Sequence, residues 1–134
     1  MFAPLPKTLP TRLSEYLPER VRWVPAPAWP QELAGPFATT GIRTRIPRYA
    51  LDVRTARNEV DPARVRWLAQ GSTIRSLDTR LVHLTCHRGV LWVVDGHHSL
   101  AAHLAAGTEQ IPVKLVSPRE PAGEATVAAT GMTA

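Results

Sequence analysis

The sequence is short of cysteine, of lysine, and of long apolar runs. Its 134 residues hold one cysteine, Cys86, which excludes an intrachain disulfide framework. No stretch approaches the ~20 uninterrupted apolar residues of a membrane span. The opening segment, MFAPLPKTLPTRL, has no apolar core long enough for a signal peptide, so the cytoplasm is the expected compartment. Acidic side chains are also scarce. Eleven carboxylates stand against 16 Lys and Arg, a formal charge of +5. Such a balance suits polyanionic partners such as nucleotides or DNA. The cations are scattered along the chain, however, and 14 of the 16 are Arg, as in the products of GC-rich genomes. The length suffices for one domain, which buries about two thirds of its unfolded surface without staples.

Proline is distributed unevenly, with 9 of the 13 in residues 1–47. VPAPAWPQELAGP, residues 24–36, cannot hold a long helix or a central strand, because each proline removes a donor and fixes φ. Leu13 to Arg22 is expected as a short helix, capped by Ser14 and limited by Pro18. Residues 1–40 read as a Pro-rich arm, kept from full disorder by Trp23, Trp29 and Phe37. It either packs on the domain or binds a partner. Residues 41–116 read as the domain, and 117–134, rich in Ala, Gly, Thr and Glu, as a flexible tail.

Within the domain, Tyr49, Leu51 and Val53 alternate as in a strand. VDPARVRWLAQG follows, with Asp61 as N-cap, Pro62 at the first helical position, Val65, Leu68 and Ala69 on one face, and Gly71 at the end. LVHLTCHRGVLWVV reads as a hairpin turning at Arg88-Gly89. Val82, Leu84 and Cys86 share one face of its first strand, and Cys86 is expected in the core with Trp67 and Trp92. A helix over Ser99 to Ala106 ends at Gly107, and a strand runs from Ile111 to Val116. No internal repeat and no helix-turn-helix pair is present in this pattern.

The sharpest feature is WVVDGHHSLAAHLAAG. A buried strand enters a helix through Asp95-Gly96. The first amides of that helix have no intrahelical partner and favour a phosphate or carboxylate. His97 and His98 stand beside them, able to donate or accept protons. Asp95 is placed to orient an imidazole, to act as a base, or to meet a metal through water. A plain capped turn has the same residues. A zinc site is poorly supported. There is no CxxC or HExxH pair, and His83 and His87 lie about 13 Å apart by strand rise.

This run resembles the signature of the ParB/sulfiredoxin superfamily. In its ParB-like members a strand meets a DGHHR-type turn, followed by a small-residue helix, a glycine and a strand beginning IPV. Val93, Val94, Asp95, Gly96, His97, His98, Leu100, Ala101, Ala102, Gly107, Ile111, Pro112 and Val113 fit in order, and the helix at Asp61 to Gln70 resembles the family's helix before the hairpin, so the likeness covers about residues 50–116. The resemblance implies a small α/β (α+β) domain with a curved mixed sheet and flanking helices. Its ligand would be a nucleotide, with Mg²⁺, or another phosphate-bearing molecule. Gly96, His97, His98 and Ser99 would bind phosphate, and Asp95 would serve the metal or the chemistry. Asp95, His97 and His98 are thus the catalytic candidates. Two departures stand out. Ser99 replaces the usual Arg and cannot give its bidentate phosphate contact. His97 also occupies the place of the sulfiredoxin cysteine, which argues against sulfinic acid reduction. Arg57 or Arg54 is the candidate replacement cation, and Glu59 a candidate base. Three functions follow as alternatives: a nucleotide- or DNA-binding domain, a metal-dependent ParB-like nuclease or phosphotransferase, and an inactive phage or mobile-element adaptor that holds a host protein through residues 1–40.

Overall fold

The computed structural model describes residues 5–25, 28–71, 77 and 80–118. Residues 119–134, which hold most of the expected tail, lie outside the described residues. Among the described residues six strands form one mixed sheet: β1 (Val21–Trp23), β2 (Phe37–Pro47), β3 (Val53–Thr55), β4 (Val82–His87), β5 (Val90–Asp95) and β6 (Gln110–Pro118). Their spatial order is β1-β3-β5-β4-β6-β2. Strands β1, β3 and β5 run parallel to one another, and β4 pairs parallel with β6. The β4–β5 and β2–β6 pairs are antiparallel. The α/β class expected from sequence is therefore observed.

Helices lie on one side of the sheet. Asp61 caps α1 (Pro62–Arg66) by accepting a hydrogen bond from the Ala63 N–H at 3.0 Å, and the chain continues into a wider π-type turn, Trp67–Gly71. The second helix, α2 (His97–Ala106), begins at Gly96 and ends at Gly107, both in the left-handed region. Between sheet and helices lies the core of Leu13, Val21, Leu51, Val53, Val65, Leu68, Val82, Leu84, Leu100, Ile111 and Val113 with their neighbours. Val65, Leu68 and Ala69 are buried as their shared face requires.

Several local expectations are corrected. The 13–22 helix is only a 3-10 turn, Leu13–Tyr16, followed by β1. Pro18 stops the turn, and Val21, a β-branched residue, is fully buried as a strand residue. Ser14 is not a cap. Its N–H donates to Asn58 Oδ1 at 2.9 Å. The alternation at Tyr49 and Leu51 is also misleading. Arg48–Ala50 is a 3-10 turn, held where the Arg48 guanidinium donates to the Leu104 carbonyl, and Tyr49 is exposed. Trp67 is half exposed and stacks near the Arg80 guanidinium at 5.8 Å. Cys86 is exposed, because it sits at the turn end of the hairpin, beyond the reach of the helices.

The 1–40 boundary is corrected as well. Leu9, Leu13 and Val21 belong to the core, β1 is a full member of the sheet, and β2 starts at Phe37. Strands β1 and β2 are consecutive in the chain yet lie at opposite edges of the sheet. Their connection carries Trp29, Leu33, Pro36 and Phe37 against Trp92, Val93 and Val94 of β5, and so straps the face the helices leave open. Of the two expectations for residues 1–40, packing on the domain or binding a partner, the described residues thus show the packing. No helix among the described residues is long and apolar enough to cross a membrane.

Candidate functional site

Parallel strands β1, β3 and β5 all end at the same edge, the place where open α/β sheets collect ligand-binding turns. The turn after β3 is fixed by Thr55, which is fully buried. Its hydroxyl donates to the Arg57 carbonyl at 2.6 Å and accepts from the Arg57 N–H at 3.2 Å. The N-terminal segment pins the same loop from outside: the Leu13 N–H donates to the Asn58 carbonyl, and the Val60 N–H to the Thr11 carbonyl. Arg57 is thereby held at the mouth of a cleft while its guanidinium stays exposed.

The turn after β5 requires glycine. Gly96 has φ of 80°, and a Cβ there would stand 2.9 Å from the Leu81 carbonyl oxygen. The Asp95 carboxylate accepts from the Gly96 N–H at 2.8 Å and closes the turn. Helix α2 leaves from it, and His97 becomes the helix's first residue.

Among the described residues, three adjoining clefts lie along the helix-free face. The first, about 550 Å³, is lined by Arg57, His97, Trp92, Phe37 and Trp29, among others. The second, about 430 Å³, is lined by Arg54, Arg88, His87 and Val90 and shares Trp29 and Trp92 with the first. The third, about 330 Å³, holds His83, Asp95, Ala38 and Val116 and shares Phe37 and Val94 with the first.

The two histidines part company. His97 is 8% exposed, and its Nε2 is buried without a hydrogen-bond partner. Burial, reinforced by Arg57, holds its pKa down at about 4, so the ring is neutral at pH 7. An orphaned buried ring nitrogen costs about 1–3 kcal/mol, which a ligand group reaching it would recover. His98 instead accepts at Nε2 from the Asp61 N–H, 3.0 Å away, tying α2 to the cap of α1. Burial and the Arg64 and Arg57 charges lower its pKa too, in keeping with an acceptor nitrogen. The imidazole of His98 is therefore engaged in structure and not offered to a ligand.

The remaining sequence candidates distribute as follows. Asp95 is mostly exposed in the third cleft, with Oδ2 4.0 Å from His83 Nδ1. Asp95, His97 and His98 thus do not converge on one cavity. Glu59 is exposed, bridges to Arg12 through the backbone, and lines none of the three clefts. Ser99 sits half-buried in the first turn of α2 and lines none of them. Among the described residues no group of three His, Cys, Asp or Glu is placed to hold a metal ion. Sequence reading missed the part played by the aromatics. Trp92 is buried as expected, and it also lines the same two clefts as Trp29 of the 24–36 segment. It also missed Thr55, although a hydroxyl two residues before Arg57 is the signature of the turn that presents it.

Comparison with protein families, characterised proteins and solved structures finds no match for this chain.

Proposed function

We propose that the domain binds a phosphate-bearing small molecule, most simply a nucleotide, in the first cleft. The observation that carries this reading is the pairing of Arg57 with the orphaned, neutral His97 across an otherwise aromatic and apolar cleft at the C-terminal ends of β3 and β5. Such a cleft, largely apolar with a few polar groups at one end, is the usual form of a small-molecule site. The guanidinium supplies the charge that a phosphate needs, and it does so without depending on pH. The leading amides of α2 beside His97 add partial positive charge. Trp29, Trp92 and Phe37 offer faces for a base or other flat group.

This reading also accommodates the departure from the ParB-like pattern. The Arg missing at Ser99 has a counterpart in Arg57, brought to the site from a different turn. Membership in the ParB/sulfiredoxin superfamily belongs to the same proposal. What supports it is the order of capped helix, hairpin, Asp-Gly-His-His turn, helix and IPV strand. The dispersal of Asp95, His97 and His98 favours binding over a metal-dependent nuclease or phosphotransferase.

Isothermal titration with CTP, ATP, ADP, GTP and a mononucleoside monophosphate, with and without Mg²⁺, tests the reading. At least one is expected to bind. Arg57→Ala should weaken that ligand about tenfold or more, the loss of one charge-assisted contact of about 1.5–3 kcal/mol. Binding heat absent for all of them, or unaffected by Arg57→Ala, would overturn it.

A further inference from the structure

The six strands contain five Arg or Lys residues and a single carboxylate, Asp95. The pairing register gathers those cations onto one face. Arg22 of β1 stands beside Arg54 of β3, and Arg54 beside Trp92 of β5. Across the sheet, Arg43 of β2 is the direct partner of Lys114 of β6, which neighbours His83 of β4. Odd and even positions on a strand face opposite ways, and the residues alternating with these, Val21, Val53, Val82, Leu84 and Val113, fill the helix-side core. The cations therefore share the helix-free face. Arg88 joins them from the β4–β5 turn. Like charges directly across strands are destabilising in isolation. Among the described residues, Arg22, Arg43, Arg54 and Arg88 are in no ion pair. A face so arranged is complementary to a polyanion.

The clefts narrow the choice. The Arg54/Arg88 cleft and the Arg57/His97 cleft adjoin, and the wall between them is Trp29 and Trp92. Trp29 is about half exposed. The sequence along the groove is cation, aromatic face, cation, which is the alternation of phosphate and base in an unpaired strand. Both clefts are lined by Trp29 of the strap, an aromatic face of the kind on which an unpaired base stacks. We propose that the ligand is single-stranded nucleic acid, one phosphate at Arg54 and Arg88, the next at Arg57, and the intervening base stacked on Trp29. The inference rests on the preceding reading for its Arg57 end only. The cations at Arg54 and Arg88 are independent of it.

The test is fluorescence anisotropy with labelled oligo-dT and oligo-rU of about ten nucleotides and a duplex of the same length. Titrations are repeated over a range of KCl, beside calorimetry with the matching mononucleotide. Single strands are expected to bind more tightly than both the duplex and the mononucleotide. Trp29→Ala should weaken them at least fivefold, the lower bound for one lost base stack. Arg54→Ala combined with Arg88→Asn, where Asn keeps the positive φ of 53° at residue 88, should flatten the logarithmic salt slope by about 0.7, the loss of the one phosphate the two hold. Mononucleotide binding should respond to Arg57→Ala and not to that double variant. Equal affinity for duplex and single strand, or no effect of Trp29→Ala, would overturn the inference. Mononucleotide binding with no gain for the oligomer would overturn it and leave the small-molecule reading standing. Oligomer binding that depends on Arg54 and Arg88 but not on Arg57 would overturn the small-molecule reading and keep the strand.

Discussion

His97 couples the site to pH. An unfolded histidine titrates near 6.5 and this one near 4, so the unfolded chain takes up the proton first. The folded state is fully favoured above pH 6.5 and loses about 3 kcal/mol as pH falls towards 4. Protonating His98 would likewise convert its acceptor nitrogen to a donor and break the bond from Asp61. Urea midpoints measured from pH 7.5 to 4 should therefore fall, and His97→Gln should flatten much of that fall. Gly96→Ala is expected to cost about 2 kcal/mol or more, from a left-handed backbone and a Cβ crowding Leu81, read as a lowered Tm. At this scale the sequence was informative about where to look. Asp95, Gly96 and His97 were legible as a turn, and the need for glycine follows from φ. What was not legible is the division of labour between His97 and His98. That depends on Asp61, which is 37 residues away in the chain.

Elements show the same contrast between local and distant causes. The capped helix, the hairpin and α2 were readable because their signals lie within a few residues of where they act. Asp61→Ala should remove the cap at about 1 kcal/mol, measurable by denaturant titration. The strand at Val21–Trp23 was not readable. Three residues carry too little pattern, and its existence depends on pairing with β3, more than thirty residues later. The exposure of Cys86 has a similar origin, since facing the core side of a strand buries a residue only where helices extend over it. Leu13 and Val21 give this a measurable edge. Both are fully buried, and Leu13→Ala should destabilise by about 2–4 kcal/mol. Removal of residues 1–40 should abolish cooperative unfolding, where a mere appendage would leave the Tm unchanged.

For the molecule as a whole, the +5 charge takes on a direction. Scattered along the sequence, the arginines resemble compositional bias. Folded, Arg22, Arg43, Arg54 and Arg88 stand on one side of a sheet whose other side is apolar. The resulting repulsion is relieved by anions. Phosphate or sulfate is therefore expected to raise the Tm above that in chloride at equal ionic strength. A site occupied at ten times its Kd adds about 1.4 kcal/mol, on the order of 5 °C for a chain of this size. Replacing both Arg54 and Arg88 should remove most of that difference. Charge direction was beyond sequence reading because it requires the strand order, and strand order is set by the crossing strap.

The long pairing of β2 with β6 also has a consequence for synthesis. Ile42 meets Leu115, so the strand that forms one edge of the sheet leaves the ribosome roughly seventy residues before its partner. At about 5–20 residues per second, that is on the order of ten seconds during which an eleven-residue strand has no neighbour on either side. The nascent chain is therefore most vulnerable to mispairing during this interval, and β6 is the strand that ends it.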